Sequence, residues 1–208
     1  MGPYTNKKGM IIIMSKNKVA NYGDLNSKMV FTIECKDVVL REFQLDDLDE
    51  LYALTLQPEI TDILPDWKVT KEQLKEWLIN MYMKSNKEFF EALPCIGDQW
   101  LNLGIILKET NEFIGWCCTG PSDELSKPNR EIGYAISKYH RNKGYTTQAV
   151  QSLIKYLFEE TNVEVLNAMA LTHNIPSNRA IEKCGFRYMN NIDIEDREFY
   201  HYKLSKSE

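Results

Sequence analysis

A short run of basic, glycine and hydroxyl residues has the composition of an anion-binding turn. It reads Arg141-Asn142-Lys143-Gly144-Tyr145-Thr146-Thr147 and joins a predicted strand, 131–137, to a predicted helix, 145–159. The first amides of such a helix have no intrahelical partner and, with the helix dipole, favour an anion. Gly144 permits close backbone approach, while Arg141 and Lys143 add positive charge. We expect this run to hold a diphosphate; the alternative is a tight turn with solvated basic side chains.

The elements needed to position this run follow a mixed α/β pattern. Hydrophobic spacing and turn residues predict strands at 38–43, 100–108, 112–119, 131–137, 163–172 and 198–204, with a further short strand at 186–189. Helices are predicted at 46–57, 71–86, 145–159 and 176–184, and a loop at 87–99. We expect one domain over residues 30–208, preceded by a poorly ordered extension, 1–29, with a short strand at 10–14.

Composition narrows the classes of function. The formal net charge of −5 argues against a general nucleic-acid binder, which needs a basic face. The five cysteines have no spacing that suits zinc, so no metal is expected, and they fit free thiols in a reducing compartment. The apolar run at 10–14 is too short for a signal peptide or a membrane span. We expect a cytoplasmic protein with no nucleic-acid or membrane partner.

Five motifs in order resemble the GNAT superfamily of N-acetyltransferases, and its RimJ/RimL-like (ribosomal-protein-alanine acetyltransferase) branch in particular. The resemblance covers about residues 36–204. The motifs are Val39-Leu40-Arg41, Phe113-Ile114-Gly115, Glu131-Ile132-Gly133-Tyr134, Arg141-Asn142-Lys143-Gly144-Tyr145-Thr146, and the closing pair Asn174-Ile175-Pro176-Ser177 and Glu182-Lys183-Cys184-Gly185-Phe186.

The resemblance implies a central mixed, mostly antiparallel sheet of six to seven strands, with helices on both faces and a splayed central strand pair. It implies acetyl-CoA as co-substrate, with the diphosphate on the anion-binding run and the pantetheine arm between strands 131–137 and 163–172. Backbone amides near Ala135 and Ile136 are then expected to polarise the thioester carbonyl. Asn174 is expected to hydrogen-bond the pantetheine; otherwise it caps the following helix.

Transfer to an amine requires a neutral nucleophile and a proton for the leaving thiolate. Glu131 is the candidate general base, directly or through water; the alternative is a carboxylate that merely faces solvent. Its removal is expected to lower turnover most at low pH. Ser177 matches a serine of the RimJ/RimL-like branch and is the candidate proton donor, unless it only caps its helix. Tyr134 either lines the acceptor pocket or packs.

Several positions depart from the family pattern. Ile181 stands where many members have a proton-donating tyrosine, and Thr146 replaces a small Gly or Ala. Gln148 stands where the branch often has Glu, a change expected to matter little. Cys184 has no adjacent histidine, which argues against an acyl-enzyme, and His173 is a weaker candidate base than Glu131.

The expected function is acetyl-CoA-dependent N-acetyl transfer to a primary amine, on a protein N-terminus or a small molecule, by direct transfer. The alternative is a non-catalytic acyl-CoA-binding module, which the missing tyrosine motivates. Monomer and homodimer both remain open. The first two helices and the 87–99 loop are expected to shape the acceptor site. Trp67, Trp77 and Trp100 either line that site or pack in the core.

Overall fold

The computed structural model describes residues 30–207. The predicted extension 1–29, its short strand at 10–14 and the last residue, Glu208, lie outside this range. Within it, no helix has both the length and the apolar character needed to cross a bilayer.

Eight strands form the sheet. They are β1 Thr32–Glu34, β2 Val38–Glu42, β3 Leu101–Leu107, β4 Phe113–Pro121, β5 Arg130–Ile136, β6 Val165–Leu171, β7 Arg187–Ile194 and β8 Arg197–Ser205. The helices are α1 Leu48–Thr55, α2 Pro58–Thr61, α3 Lys71–Trp77, α4 Lys84–Ala92, α5 Tyr145–Glu160 and α6 Ile175–Lys183. Short 3₁₀ turns lie at Leu45–Asp47, Pro65–Trp67 and Lys138–His140, and a π-helical turn at Leu78–Met83 joins α3 to α4.

The strand order is β1-β2-β3-β4-β5-β6-β8-β7, and every neighbouring pair is antiparallel except β5–β6. The parallel pair needs a crossover, and α5 supplies it. The fold class predicted for the chain is therefore confirmed. The strand count is eight rather than six to seven. The short strand predicted at 186–189 is present as the longer β7, and a three-residue edge strand, β1, precedes β2.

Helices cover both faces of this sheet. On the first face, α5 and α6 bury Leu153, Leu157 and Ile181 against the strands. On the second face, α1 and α3 bury Leu51 and Leu74 in a separate cluster. Each such aliphatic side chain contributes about 1.5–3 kcal/mol by leaving water, so the two clusters hold the helices at fixed positions over β4 and β5.

The largest error of the sequence prediction concerns the loop at 87–99. Residues 87–92 are helical and belong to α4. Phe89 is fully buried, and ion pairs at four-residue spacing, Lys84–Glu88 at 3.8 Å and Lys87–Glu91 at 3.9 Å, lie on the exposed face. These signals of an amphipathic helix were present in the sequence, and the helix ends only before Pro94.

Candidate active site

The amino end of α5 is open and free of capping side chains. Gly144 is the N-cap residue in a left-handed conformation (φ 80°), with no side-chain cap and no acidic residue in the first turn. A Cβ added at Gly144 would meet no atom within 4 Å. The first helical bond of α5 is made by Gln148 N–H to Gly144 O, so the amides of Tyr145, Thr146 and Thr147 lack intrahelical partners. This end has the properties of an anion site.

The residues before Gly144 turn the chain into this site. Asn142 is also left-handed (φ 62°) and, like Lys143, exposed. The sequence predicts that Arg141 adds positive charge to this site, and the structure shows that its side chain is also held by a contact with α2. Its Nη2 donates to the backbone oxygen of Glu59 in α2 at 3.0 Å, so the guanidinium is anchored beside the site.

The central strands β5 and β6 diverge. They share a single register pair, Glu131 with Asn167, although each strand has seven residues. The gap therefore opens toward the carboxyl ends of both strands. Its β5 side reaches the 3₁₀ turn Lys138–His140, which leads into the open end of α5.

Backbone direction decides which β5 amides face this gap. Ser137 N–H donates to Ile114 O on β4 at 2.8 Å. Because successive residues alternate in direction along a strand, Ala135 N–H also points to β4, whereas the amides of Tyr134 and Ile136 point into the gap. Of the two predicted thioester-binding amides, Ile136 is available and Ala135 is engaged in the ladder with β4.

The β6 side of the gap offers matching groups. Thr172 N–H donates to Glu198 O in the pairing with β8 at 3.0 Å. By the same alternation, the backbone groups of Met169 and Leu171 point toward β5. Met169 N–H is taken by the Glu131 carboxyl and Leu171 O accepts from Asn174 N–H at 2.9 Å. The β6 groups that face the slot are therefore Met169 O and Leu171 N–H, which suit a ligand with amide groups of its own.

Glu131 lies where the gap begins and is half-buried. Burial raises the pKa of its carboxyl from 4.5 to about 7, while hydrogen bonds from the Ser122 hydroxyl and the Met169 backbone N–H oppose that rise. Glu131 alternates with Ile132, which is buried on the first face, so its side chain lies on the second face. A carboxyl that titrates near neutrality is suited to general-base work.

The second face beside Glu131 is partly aromatic. A Cβ on Gly133 would lie 3.1 Å from Cys118 Sγ and 3.8 Å from the Trp116 ring, so glycine leaves a small recess there. Trp67 stacks on Trp116 with ring centroids 4.8 Å apart. The three tryptophans named as possible pocket residues pack in different places. Trp77 packs with Trp67 against the second-face core, and Trp100 covers Gly120.

Tyr134 and Ser177 meet on the first face. The Tyr134 hydroxyl lies 2.9 Å from Ser177 Oγ and 3.1 Å from Ser177 O. Burial raises the pKa of Tyr134 well above its ordinary value, which keeps the phenol protonated. The N-cap of α6 is Asn174, whose Oδ1 accepts from Ser177 N–H at 3.4 Å. Asn174 thus performs the capping role, and the Ser177 hydroxyl does not.

The remaining candidate nucleophile and base are poorly suited to the chemistry. Cys184 is buried, and burial raises the pKa of its thiol to about 12, so little thiolate exists near neutral pH. His173 is exposed in the turn before α6.

Two contacts between distant segments help to position the site. Gln148 in α5 makes two hydrogen bonds with Asp37 in the turn before β2, so its identity matters, contrary to expectation. Gln57 accepts from Lys138 N–H at 2.8 Å and lies 3.2 Å from Ser137 Oγ, which ties the start of α2 to the end of β5. Neither contact has a local sequence signal, because each joins segments far apart in the chain.

A helix with an open amino terminus, beside a splayed parallel strand pair in a mostly antiparallel sheet, is the arrangement of the GNAT class of acetyltransferase fold. The chain matches the family model of the acetyltransferase (GNAT) domain over residues 37–187, and it belongs to that family of enzymes. It is 27% identical to the uncharacterized N-acetyltransferase YnaD of Bacillus subtilis over 155 residues, 74% of this chain and 82% of that protein.

Solved structures share the fold. A GNAT-family acetyltransferase from Bacillus anthracis aligns with a TM-score of 0.70 at 22% identity, covering 86% of this chain and all of that one (100%). RimL, a ribosomal alpha-N-protein acetyltransferase in complex with coenzyme A, aligns with a TM-score of 0.68 at 13% identity, covering 84% of this chain and 98% of that one.

Proposed function

We propose that this enzyme transfers an acetyl group from acetyl-CoA directly to a primary amine, on a protein N-terminus or a small molecule, as a RimJ/RimL-like N-acetyltransferase. The observation that carries the proposal is the uncapped end of α5, with Gly144 open to solvent beside the β5–β6 gap. The RimL structure, which holds coenzyme A on the same fold, supports both the co-substrate and the branch.

The co-substrate would be held at two places. The amides of residues 142–147 bind the diphosphate, with Lys143 nearby as an exposed cation and Arg141 anchored to α2. The pantetheine arm lies in the gap, where the backbone N–H of Tyr134 and the backbone carbonyl of Met169 face its amides. Ile136 N–H then faces the thioester carbonyl and stabilises negative charge on its oxygen during attack.

Glu131 supplies the base. With a carboxyl pKa of about 7, taking a proton from an α-ammonium of pKa near 8 costs about 1.4 kcal/mol, whereas a lysine ammonium of pKa near 10.4 costs about 4.6 kcal/mol. The site is therefore matched to amines of low basicity. Glu131, acting through water, takes the first proton of the ammonium and releases it to solvent. The neutral amine then attacks the carbonyl carbon, the C–S bond breaks, and the second proton leaves the nitrogen through the same water to Glu131.

Ser177 is the proposed proton donor to the thiolate that leaves, and solvent water returns a proton to the serine oxygen. Ile181, where many family members have a tyrosine, is buried and has no proton to give. The Tyr134 phenol beside Ser177 Oγ holds the serine hydroxyl in place and, because its pKa is raised, stays protonated itself. Asn174, which caps α6, acts by fixing the position of Ser177.

Ile181 also motivates the second candidate, a non-catalytic acyl-CoA-binding module. Free-thiol release from acetyl-CoA, measured across small amines and N-terminal peptides, separates the two candidates. Transfer to at least one amine, with an acetylated product of the correct mass, supports the enzyme. Tight acetyl-CoA binding without thiol release across the whole panel contradicts catalysis and leaves the binding module.

A further inference from the structure

One row of side chains crosses the second face of the sheet from Glu131. Glu131 pairs with Asn167 on β6, and Asn167 pairs with Lys203 on β8. Tyr202 and Leu204 pack on the first face, so Lys203 points to the second, as Glu131 does. With strands about 4.8 Å apart, the Cα atoms of Glu131 and Lys203 are about 10 Å apart. This row of three residues therefore has a carboxyl at one end and an ammonium at the other.

A cavity of about 230 Å³ lies along this row. Its lining residues are Glu124, Leu125, Ser126, Asn167, Ile192, His201 and Lys203. The loop that supplies Glu124–Ser126 also supplies Ser122, which hydrogen-bonds Glu131. The cavity is therefore adjacent to the proposed base, because the same loop and the same strand, β6, contact both.

Lys203 is a half-buried cation on β8. Within residues 30–207 it makes no ion pair with any acidic side chain. A larger cavity of about 440 Å³, lined in part by Arg41 and Lys108, differs in this respect. There, Arg41 pairs with Asp47 at 2.6 Å and Lys108 with Glu34 at 2.7 Å. Only the cavity beside Glu131, of these two, has a cation left for a ligand.

The wall next to Lys203 is rigid. His201 is buried, with Nε2 2.9 Å from Asn167 Oδ1 and Nδ1 3.2 Å from Asn190 Oδ1. Burial lowers the pKa of His201, and the charge of Lys203 lowers it further. An anion bound here would offset that charge. Glu124 is the one acidic side chain of the lining, and it is exposed, where solvent screens its charge.

We propose that the acceptor of this enzyme carries an anionic group, a carboxylate or a phosphate, which binds Lys203 in this cavity while its amine extends past Glu131 along the gap toward the thioester. This inference rests on the proposed acetyl transfer, and it names the chemical class of the acceptor. The amine and the anion of such a compound are matched by the two ends of the row.

Three probes of equal chain length test the inference on the full chain: an ω-amino carboxylic acid, its primary amide, and the corresponding aminoalkyl phosphate. Binding is measured by thermal stabilisation without acetyl-CoA, and transfer by thiol release. We expect the anionic probes to exceed the amide by about 10- to 100-fold in affinity and in kcat/KM, the range for a charged hydrogen bond. Whichever of the acid and the phosphate binds more tightly identifies the anion.

Lys203→Met, which keeps the apolar stem, should abolish the preference, and Lys203→Arg should retain it. Lys87→Met, an exposed lysine of α4, is the matched control and should change nothing. Equal behaviour of the acid, the phosphate and the amide, including no binding by any of them, overturns the anion site. Charge-selective binding without thiol release supports the anion site and contradicts acetyl transfer, so the two failures are distinguishable.

Discussion

Asp37 and Gln148 are joined by two hydrogen bonds that connect the turn before β2 to the first turn of α5. Asp37 N–H donates to Gln148 Oε1 at 2.9 Å, and Gln148 Nε2 donates to Asp37 Oδ2 at 2.7 Å. The direction of α5 decides where its free amides point. A residue on the sheet edge therefore holds the proposed diphosphate site in position.

Gln148→Glu should weaken this connection, because the new carboxylate loses the amide donor and faces the Asp37 carboxylate. We expect a loss of about 1–3 kcal/mol in the free energy of unfolding and a larger rise in KM for acetyl-CoA than fall in kcat. Chemical denaturation and steady-state kinetics measure the two effects.

Adding Asp37→Asn to Gln148→Glu provides the control, since the side-chain amide introduced by the second substitution can donate to the new carboxylate. The double variant should regain most of the lost stability. Wild-type stability in the single Gln148→Glu variant, or no recovery in the double variant, would show that the contact does not position α5.

Glu131→Gln should remove the pH dependence that the base confers. Burial raises the pKa of Glu131 to about 7, so kcat of the wild type should rise through that pH as the carboxyl loses its proton. The variant should lack this step and should be slower by about 10²- to 10⁴-fold above pH 7. The deficit therefore grows with pH, the reverse of the sequence expectation, because below pH 7 the wild-type carboxyl is itself protonated.

Stability offers a second readout on the same variant. A carboxyl whose pKa is higher in the folded than in the unfolded chain binds more protons when folded, so it stabilises the fold less as pH rises from 4.5 to about 7. Glu131→Gln should consequently raise Tm at pH 8 relative to the wild type, and the gain should shrink toward pH 4.5. A pH-independent difference in Tm would mean that Glu131 is not held in a desolvating site.

Ser177→Ala and Tyr134→Phe distinguish the donation of a proton by Ser177 from the positioning of the Ser177 hydroxyl by Tyr134. If Ser177 protonates the thiolate, its loss should lower kcat by about 10²-fold or more with little change in KM for acetyl-CoA. Tyr134→Phe keeps the serine hydroxyl and removes only its 2.9 Å neighbour, so kcat should stay within about tenfold of the wild type. Near-normal turnover by Ser177→Ala would assign proton donation to water.

The parts of the site that could be predicted are contiguous in the sequence. The turn 141–144 is indicated by its glycine and basic residues, and helix α5 by a 3.6-residue apolar period. Both are found where the sequence predicts them. The capping asparagine, Asn174, follows the same local logic. The predicted fold class, with its splayed strand pair, is confirmed because motif order along the chain fixes the strand order.

The parts that could not be predicted depend on pairing between distant segments. The row from Glu131 through Asn167 to Lys203 exists only because three strands share one register, and the sequence does not state that register. Asn167 is a polar residue in an otherwise apolar strand, so its position is unusual in the sequence, but nothing in the sequence indicates which residues it pairs with. The direction of the Ala135 amide likewise depends on the phase of the β4–β5 ladder.

Gly144→Glu most directly tests whether the open end of α5 binds the diphosphate of acetyl-CoA. Gly97 provides a matched control, because it is also left-handed (φ 50°) and a Cβ there would also meet no atom within 4 Å. The two substitutions therefore impose similar backbone strain, while only the first adds a carboxylate to the proposed seat. Calorimetric titration with acetyl-CoA should show binding by the wild type and Gly97→Glu, and none by a folded Gly144→Glu. Wild-type affinity in Gly144→Glu would contradict the account.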